Sequence, residues 1–114
     1  MQGRVVRSWE SDCEPALTAY LLENGHLLRP GNAKGKHSSG TEAGGRIQEF
    51  TWDGELVWDF KFFNEKQMPS HDVTPMPNGN VLLIVWDKKT TKEAIAAGRR
   101  PELVGEQLLP DSVV

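Results

Sequence analysis

The stretch from Pro30 to Gly45 combines glycines with cationic side chains, a combination that can bind anions. It contains five glycines together with Lys34, Lys36 and His37. Backbone N–H groups in glycine-rich loops and ammonium groups both stabilise negative charge. We therefore take the two lysines and the histidine as candidate anion-binding residues. The spacing matches no phosphate-binding loop, and a solvated connection is the alternative interpretation.

A single cysteine, Cys13, limits the sulfur chemistry of the chain. One cysteine excludes an intramolecular disulfide and a cysteine-based metal site within one chain. Cys13 lies between Asp12 and Glu14, whose negative charges disfavour the thiolate. We interpret it as a passive thiol rather than a reactive one, and we predict no metal and no cofactor.

The four tryptophans occur in a context that repeats. Gly3–Trp9 and Gly54–Phe60 each contain a glycine, an apolar pair two and three residues later, and an aromatic residue at the sixth position after the glycine. Leu22–Leu28 and Met76–Leu82 share a second pattern around Asn-Gly. The first pair is offset by 51 residues and the second by 54. A period of this length built from short strands favours propeller blades.

Turn signals place strands around these repeats. The dipeptides Asn24-Gly25, Asp53-Gly54 and Asn78-Gly79 are flanked by apolar residues and suit type I′ turns, which need positive φ at both central positions. We predict an all-β fold with two four-stranded antiparallel sheets of the propeller-blade type. The predicted strands cover residues 4–9, 17–22, 26–29, 46–52, 55–62, 71–76, 81–87 and 111–114.

One short helix interrupts this pattern. Residues 92–97 are helix-forming and are followed by Gly98, which suits a left-handed helix end, so we predict a helix in a late loop. The whole chain, 1–114, is then a single partial propeller module with repeats at 3–53 and 54–114. The tryptophans are expected to pack between sheets, and stacking on an aromatic ligand is the alternative.

Composition excludes several classes of partner. A formal charge of −3 and a pI near 5.6 give no electrostatic reason to bind nucleic acid. The longest apolar run, 81–86, is far shorter than the roughly 20 residues that span a bilayer. The first residues contain no apolar signal-peptide core. We expect a cytoplasmic protein without a membrane partner, or an exported one if the chain is a fragment of something longer.

The segment Ser70–Leu83 contains the most specific pattern, with His71-Asp72 followed by Pro-Asn-Gly-Asn. Together with Lys92–Arg99 and the tryptophan and glycine repeat, it resembles the arylsulfotransferase family of bacterial β-propellers. The resemblance is clear from about residue 45 onward and looser from 3 to 25. It implies a six-bladed propeller that moves a sulfuryl group from an aryl sulfate to a phenol through a sulfated histidine.

His71 matches the histidine of the family's His-Asp element, so the resemblance makes it the candidate catalytic residue. A neutral imidazole would attack sulfur, a phenolate would leave, and a second phenol would collect the group. Asp72 is not expected to orient His71, because successive strand residues face opposite ways. The alternative is a histidine at the start of a strand whose ring is satisfied by a backbone carbonyl.

The chain departs from the family in size. Two blades are a third of a six-bladed ring, and the position of the first repeat that corresponds to His71 is Leu17. An open two-blade arc exposes apolar faces and strand edges that something must cover. We therefore predict a homo-oligomer, with a cyclic trimer as the favoured form.

Three functions follow from these features. The first is an oligomeric module that completes a propeller and binds a small aromatic or anionic molecule. The alternative is an arylsulfotransferase-like enzyme that uses His71. The third is a piece of a longer propeller protein without activity of its own.

Overall fold

A computed structural model describes residues 3–32, 44–62, 66–103, 105 and 107–114. Antiparallel strands dominate these ranges, with one short α-helix and one short 3₁₀ helix among them. The elements are β1 (Tyr20–Leu21), β2 (Leu27–Asn32), β3 (Gly45–Phe50), β4 (Leu56–Lys61), β5 (Gln67–Pro75), β6 (Val81–Asp87), β7 (Lys89–Thr90), α1 (Thr91–Ala96), the 3₁₀ helix Pro101–Leu103, β8 (Gln107–Leu108) and β9 (Asp111–Val113).

The strands form two principal sheets and a small pair. Sheet A has the order β1-β2-β3-β4, and sheet B has the order β5-β6-β9. Strands β7 and β8 pair separately and were not predicted. The mainly β architecture is confirmed. The prediction of two four-stranded sheets is wrong for the second sheet, which has three strands within the described ranges.

The prediction of a strand at residues 4–9 is wrong, because the structure has no strand there. These residues join neither sheet, because Arg7 and Trp9 instead bind the hairpin between β3 and β4. Arg7 Nε donates to the Trp52 carbonyl at 2.6 Å, and Trp9 Nε1 donates to the Thr51 carbonyl at 2.8 Å. The indoles of Trp9 and Trp52 meet edge to face at 5.4 Å between centroids.

The predicted strand at 17–22 is shorter in the structure, where only β1 pairs with β2. Thr18 lies just before β1 and does not pair with β2. Its side chain donates a hydrogen bond to the backbone carbonyl of His71 on β5. Thr18 therefore ties sheet A to sheet B, and the ladder of sheet A begins only at Tyr20.

The glycine hairpins lie where the sequence places them, but their turn type differs from the prediction. Only glycines have positive φ in the described chain, among them Gly25 at 83° and Gly79 at 87°. Gly25 N donates to the Leu22 carbonyl at 2.9 Å, and Gly79 N donates to the Met76 carbonyl at 3.0 Å. This is the three-residue hairpin loop that ends on a left-handed glycine. The two repeats thus share one hairpin geometry at an offset of 54 residues.

The hydrophobic core lies between the two sheets. Leu28 and Ile47 of sheet A pack with Val73, Leu83 and Val85 of sheet B, and all five are buried. Strand alternation sends these side chains to one face of each sheet, and the burial of that face is the main stabilising contribution in a β fold of this size.

Residues 11–16 cover the other face of sheet A. Ser11 Oγ donates to Gln48 Oε1 at 2.7 Å, and the buried Arg29 side chain donates to the Cys13 carbonyl at 3.0 Å. Arg46 lies between the carboxylates of Asp12, at 3.0 Å, and Asp59, at 2.7 Å. Strands β2 and β3 of sheet A are therefore covered on both faces, by sheet B and by the N-terminal segment, whereas β4 stays exposed.

The predicted helix is confirmed as α1. Thr90 and Glu93 form a capping box, and Gly98, with φ at 97°, follows the C-cap. Local chemistry thus defines both ends of this helix, which is why it could be predicted. In the described part of the chain no helix has the length and apolar character needed to cross a membrane.

Candidate functional site

His71 lies at a bulge in β5. Pro69 is opposite Val85 and Val73 is opposite Leu83, so three residues of β5 face a single residue of β6. The extra residues disrupt the regular alternation and turn the His71 side chain to solvent, where it is exposed. Bulges are common next to functional sites because they redirect a side chain in this way.

Ser70 holds the His71 ring. Its side chain is 5% exposed, and its Oγ lies 3.1 Å from Nδ1 of His71. Within the described ranges no group hydrogen bonds to Nε2. If the hydroxyl donates to Nδ1, Nε2 carries the proton and is a donor; if Nδ1 donates to the hydroxyl, the Nε2 lone pair faces solvent. The ring therefore presents either a donor or a nucleophilic nitrogen.

Asp72 turns away from the imidazole and binds sheet A. Its Oδ1 accepts from the Tyr20 hydroxyl at 2.5 Å, from Thr18 Oγ1 at 3.2 Å and from the Val73 N–H at 2.9 Å. These contacts agree with the expectation that Asp72 does not orient His71. The carboxylate instead joins β5 to β1 and the residue stretch before it.

The same contacts shift two pKa values. The Tyr20 hydroxyl, followed by the Val73 N–H and Thr18, lowers the pKa of Asp72 against the opposing effect of its burial. Asp72 is therefore ionised at neutral pH. The hydrogen bond to that carboxylate, with added burial and charge repulsion, raises the pKa of Tyr20. The phenol therefore stays protonated at neutral pH.

Two further contacts fix the bulge. Thr18 Oγ1 also donates to the His71 carbonyl at 3.1 Å. On the other side, Gly44 lies so close to β5 that a Cβ there would be 2.3 Å from the Ser70 carbonyl oxygen and 2.6 Å from that of Pro69. Only glycine fits this approach without a backbone shift. We call the cluster of Thr18, Tyr20, Ser70, His71 and Asp72 the β1–β5 border.

The sequence pattern predicts a role for His71 but not for the residues that the structure places around it. A usable signal was present, because Thr18 and Asp72 are 54 residues apart and so occupy the same position in the two repeats. Equivalent residues on neighbouring border strands lie side by side and hydrogen bond to each other. Tyr20 and Ser70 had no such signal, because their roles depend on the bulge.

The predicted anion-binding residues Lys34, Lys36 and His37 lie outside the described residues. Cys13 is partly buried, and its Sγ lies 3.4 Å from Gln48 Oε1, which makes it part of the polar layer over sheet A. Among the residues that the structure describes, no three His, Cys, Asp or Glu side chains are grouped so as to hold a metal ion.

A second feature is an apolar groove of about 700 Å³ between the two sheets. One wall carries an aromatic row on and after β4, in which Trp58 and Phe60 stack at 5.7 Å and Phe62 follows at 6.4 Å. The opposite wall is formed by Met76, the start of β6 and Val114. Trp58 and Phe60 stay partly exposed, so the packing between sheets predicted for Trp58 is only partial within one chain. We refer to this feature as the apolar groove.

Comparison with known protein families, with curated proteins and with solved structures finds no match to this chain. The resemblance to arylsulfotransferases therefore stays a prediction from the sequence.

Proposed function

We propose that the chain is a self-associating β module that binds a small anionic or aromatic molecule at the β1–β5 border. The observation that carries this proposal is the exposed His71 ring, which Ser70 holds from a buried position. A fixed imidazole with an open Nε2 suits an acceptor oxygen of a sulfate, a carboxylate or a phenolate. The hydrogen bonds of the Asp72 carboxylate run to Tyr20, Thr18 and the Val73 N–H rather than to the imidazole.

Association of copies is part of this proposal. Each chain supplies two sheets, and three chains would close a ring of six, the number that the family resemblance implies. The support is that sheet B leaves apolar side chains uncovered, including Leu82, Ile84 and Val113. Light scattering at micromolar concentration should give the mass of a closed oligomer, and a stable monomer would contradict association.

A second candidate function is sulfuryl transfer. It is favoured by the form of the Ser70–His71 pair in which Nδ1 donates to the hydroxyl and leaves the Nε2 lone pair in solvent. That nitrogen would form a bond to sulfur while the bond from sulfur to the phenolate oxygen breaks, and the phenolate would leave with the electron pair. A second phenol would then attack sulfur, break the N–S bond and lose its proton to solvent.

One probe, para-nitrophenyl sulfate, separates the two functions. Calorimetry measures binding of the probe, and release of nitrophenolate measures turnover, in the unmodified chain and in His71→Gln. The matched control is His26→Gln, because the Nδ1 atom of His26 is already bound to Glu49 Oε1 at 2.7 Å. Binding lost only in His71→Gln supports the binding module. Turnover lost only in His71→Gln supports transfer. An oligomer that neither binds nor turns over the probe contradicts both.

A further inference from the structure

The apolar groove has an aromatic wall that runs from the core to the surface. Phe62 packs against the core cluster, whereas Phe60 and Trp58 are 41% and 38% exposed. The rings of Trp58 and Phe60 stack 4° from parallel, with 5.7 Å between their centroids. The groove, of about 700 Å³, therefore has the size and the largely apolar lining of a small-molecule site.

One charged side chain lies beside this wall. Among the described residues that line the groove, Glu49 is the one with an ionisable side chain. It lies on β3 directly opposite Trp58 on β4, so the carboxylate and the indole share one face of sheet A. Ile47 lies opposite Phe60 in the same way. The groove is thus apolar beside Phe60 and negatively charged beside Trp58.

His26 holds the Glu49 carboxylate in place. Its Nδ1 lies 2.7 Å from Glu49 Oε1, and the two side chains are only 29% and 25% exposed. When the imidazole is neutral, Nδ1 donates this bond and the carboxylate keeps its full charge. In the described part of the chain no donor binds Oε2. Glu49 therefore presents a positioned negative charge with one open oxygen.

We infer that the apolar groove binds an organic ammonium cation with an aromatic or alkyl body. The body lies along Phe60 and Phe62, where burial of apolar surface favours binding. The ammonium group lies over Trp58 and beside Glu49. Tryptophan is the strongest aromatic partner of a cation, and the carboxylate adds a direct charge attraction.

The opposite wall limits the ligand further. Met76 and Asn80 line it, and neither carries a charge. A carboxylate or sulfate group on the ligand finds no cationic side chain among the described residues of the groove and meets the like charge of Glu49. The groove therefore selects amines and quaternary ammonium compounds over amino acids and anions.

This site is separate from the β1–β5 border. None of the five residues that define the border is among those that line the groove. The border offers an imidazole to an acceptor oxygen, whereas the groove takes a ligand of positive charge. The inference therefore does not depend on the function proposed above.

Two probes with the same body and opposite charges test the selection. Benzyltrimethylammonium and benzylsulfonate are titrated above neutral pH, and the tryptophan indole N–H signals are followed by nuclear magnetic resonance. Trp58 lines the groove and Trp52 does not, so the Trp58 signal reports this site alone. We expect the cation to shift the Trp58 signal at a concentration about tenfold lower than benzylsulfonate requires.

Glu49→Gln tests the charge. The glutamine keeps an acceptor for His26 but removes the negative charge, and we expect benzyltrimethylammonium to bind about tenfold more weakly. The matched control is Glu55→Gln, which removes the same charge from an exposed residue of the β3–β4 hairpin outside the groove. It should change the affinity by less than about twofold, because salt screens a distant surface charge.

Trp58→Leu tests the aromatic face. Leucine keeps an apolar side chain but has no π system, so calorimetry should show about fivefold weaker binding of benzyltrimethylammonium. The variant also identifies the Trp58 signal in the spectra. Trp52→Leu is the control, because Trp52 is equally accessible but packs against Trp9 outside the groove. It should leave the affinity unchanged.

The outcomes decide the inference independently of the proposed function. A preference for the cation that Glu49→Gln removes and Glu55→Gln keeps supports it. Equal affinity for the two probes, or an equal loss in both glutamate variants, overturns it, because the groove then binds apolar groups without selecting charge. A Trp58 signal that the cation does not shift overturns it as well. None of these results affects the border site, which His71→Gln tests.

Discussion

Sheets A and B contain the same Asn-Gly hairpin but differ in how they are covered. Sheet A has four strands, with sheet B on one face and residues 11–16 on the other. Sheet B has three strands, and its outer face leaves Leu82, Ile84 and Val113 exposed. The difference shows that a repeated sequence determines the hairpin, whereas the neighbouring layer determines what the hairpin buries.

Two equivalent leucines make this difference measurable. Leu28 and Leu82 are 54 residues apart and lie at the same position of β2 and β6. Leu28 is 1% exposed between the sheets, and Leu82 is 38% exposed. Since their local sequence is alike, the burial of Leu28 comes from sheet B, which has no equivalent behind Leu82 within one chain.

The largest expected effect comes from truncating these two side chains. Leu28→Ala should lower the free energy of unfolding by about 3 kcal/mol, because it removes buried methyl groups and leaves a cavity. Leu82→Ala should cost less than about 1 kcal/mol in the dissociated chain, since water already reaches the side chain. Urea denaturation at low protein concentration measures both values.

The same pair tests association. If copies cover the outer face of sheet B, the effect of Leu82→Ala should grow as protein concentration rises, because binding stabilises the folded chain by mass action. The effect of Leu28→Ala should not depend on concentration. Equal costs for both variants in dilute solution would contradict the difference between the two sheets.

A smaller effect is expected at the β1–β5 border. Tyr20→Phe removes a hydrogen bond to an ionised carboxylate and should cost about 1.5 kcal/mol of unfolding free energy. Its counterpart in the second repeat is Thr74, which is exposed, so Thr74→Val should cost nearly nothing. Thermal or urea unfolding measures the pair. A cost for Thr74→Val as large as that for Tyr20→Phe would show that the border gives no special stabilisation.

The two hairpin glycines should behave alike. Gly25→Ala and Gly79→Ala each force a residue with a Cβ into positive φ, and neither Cβ would meet another atom within 4 Å. We expect each to cost about 1 kcal/mol from backbone strain alone. Denaturant midpoints measured side by side check the equality. Costs that differ by more than about 0.5 kcal/mol would mean that the hairpins are not equivalent.

Local features could be predicted from the sequence, and features that depend on a neighbouring layer could not. The three glycine hairpins and helix α1 are defined by residues within a few positions of each other, and each lies where its signals place it. Residues 4–9 have the pattern of a strand, but Arg7 and Trp9 bind carbonyls of the β3–β4 hairpin through their side chains instead of pairing with a strand. The β5 bulge, which exposes His71, depends on the approach of Gly44 and on Thr18, and no local pattern signals it.

The smallest expected effect is a shift in the pKa of Tyr20. It compares a substitution at the β1–β5 border with one at Asp87 in sheet B. Tyr20 is the only tyrosine, so the near-ultraviolet absorbance of the phenolate follows its ionisation alone. Asp72 raises the pKa of Tyr20 above the ordinary 10.0, and Asp72→Asn should lower it towards that value. Asp87→Asn is the control, because Asp87 binds Ser112 and Gln67 in sheet B and should not affect Tyr20.

The same pair gives stability a pH dependence with a defined sign. The lowered pKa of Asp72 stabilises the fold above the ordinary value of 3.8, and this contribution is lost as the pH falls through the pKa of the folded state. The raised pKa of Tyr20 stabilises the fold below 10.0, and that contribution is lost as the pH rises through its folded value. Asp72→Asn should flatten both limbs of the stability profile. A profile unchanged by Asp72→Asn would mean that the Tyr20–Asp72 bond does not join the two sheets in solution, and sheet B would then be held to sheet A by the apolar core and by the bond from Thr18 to the His71 carbonyl.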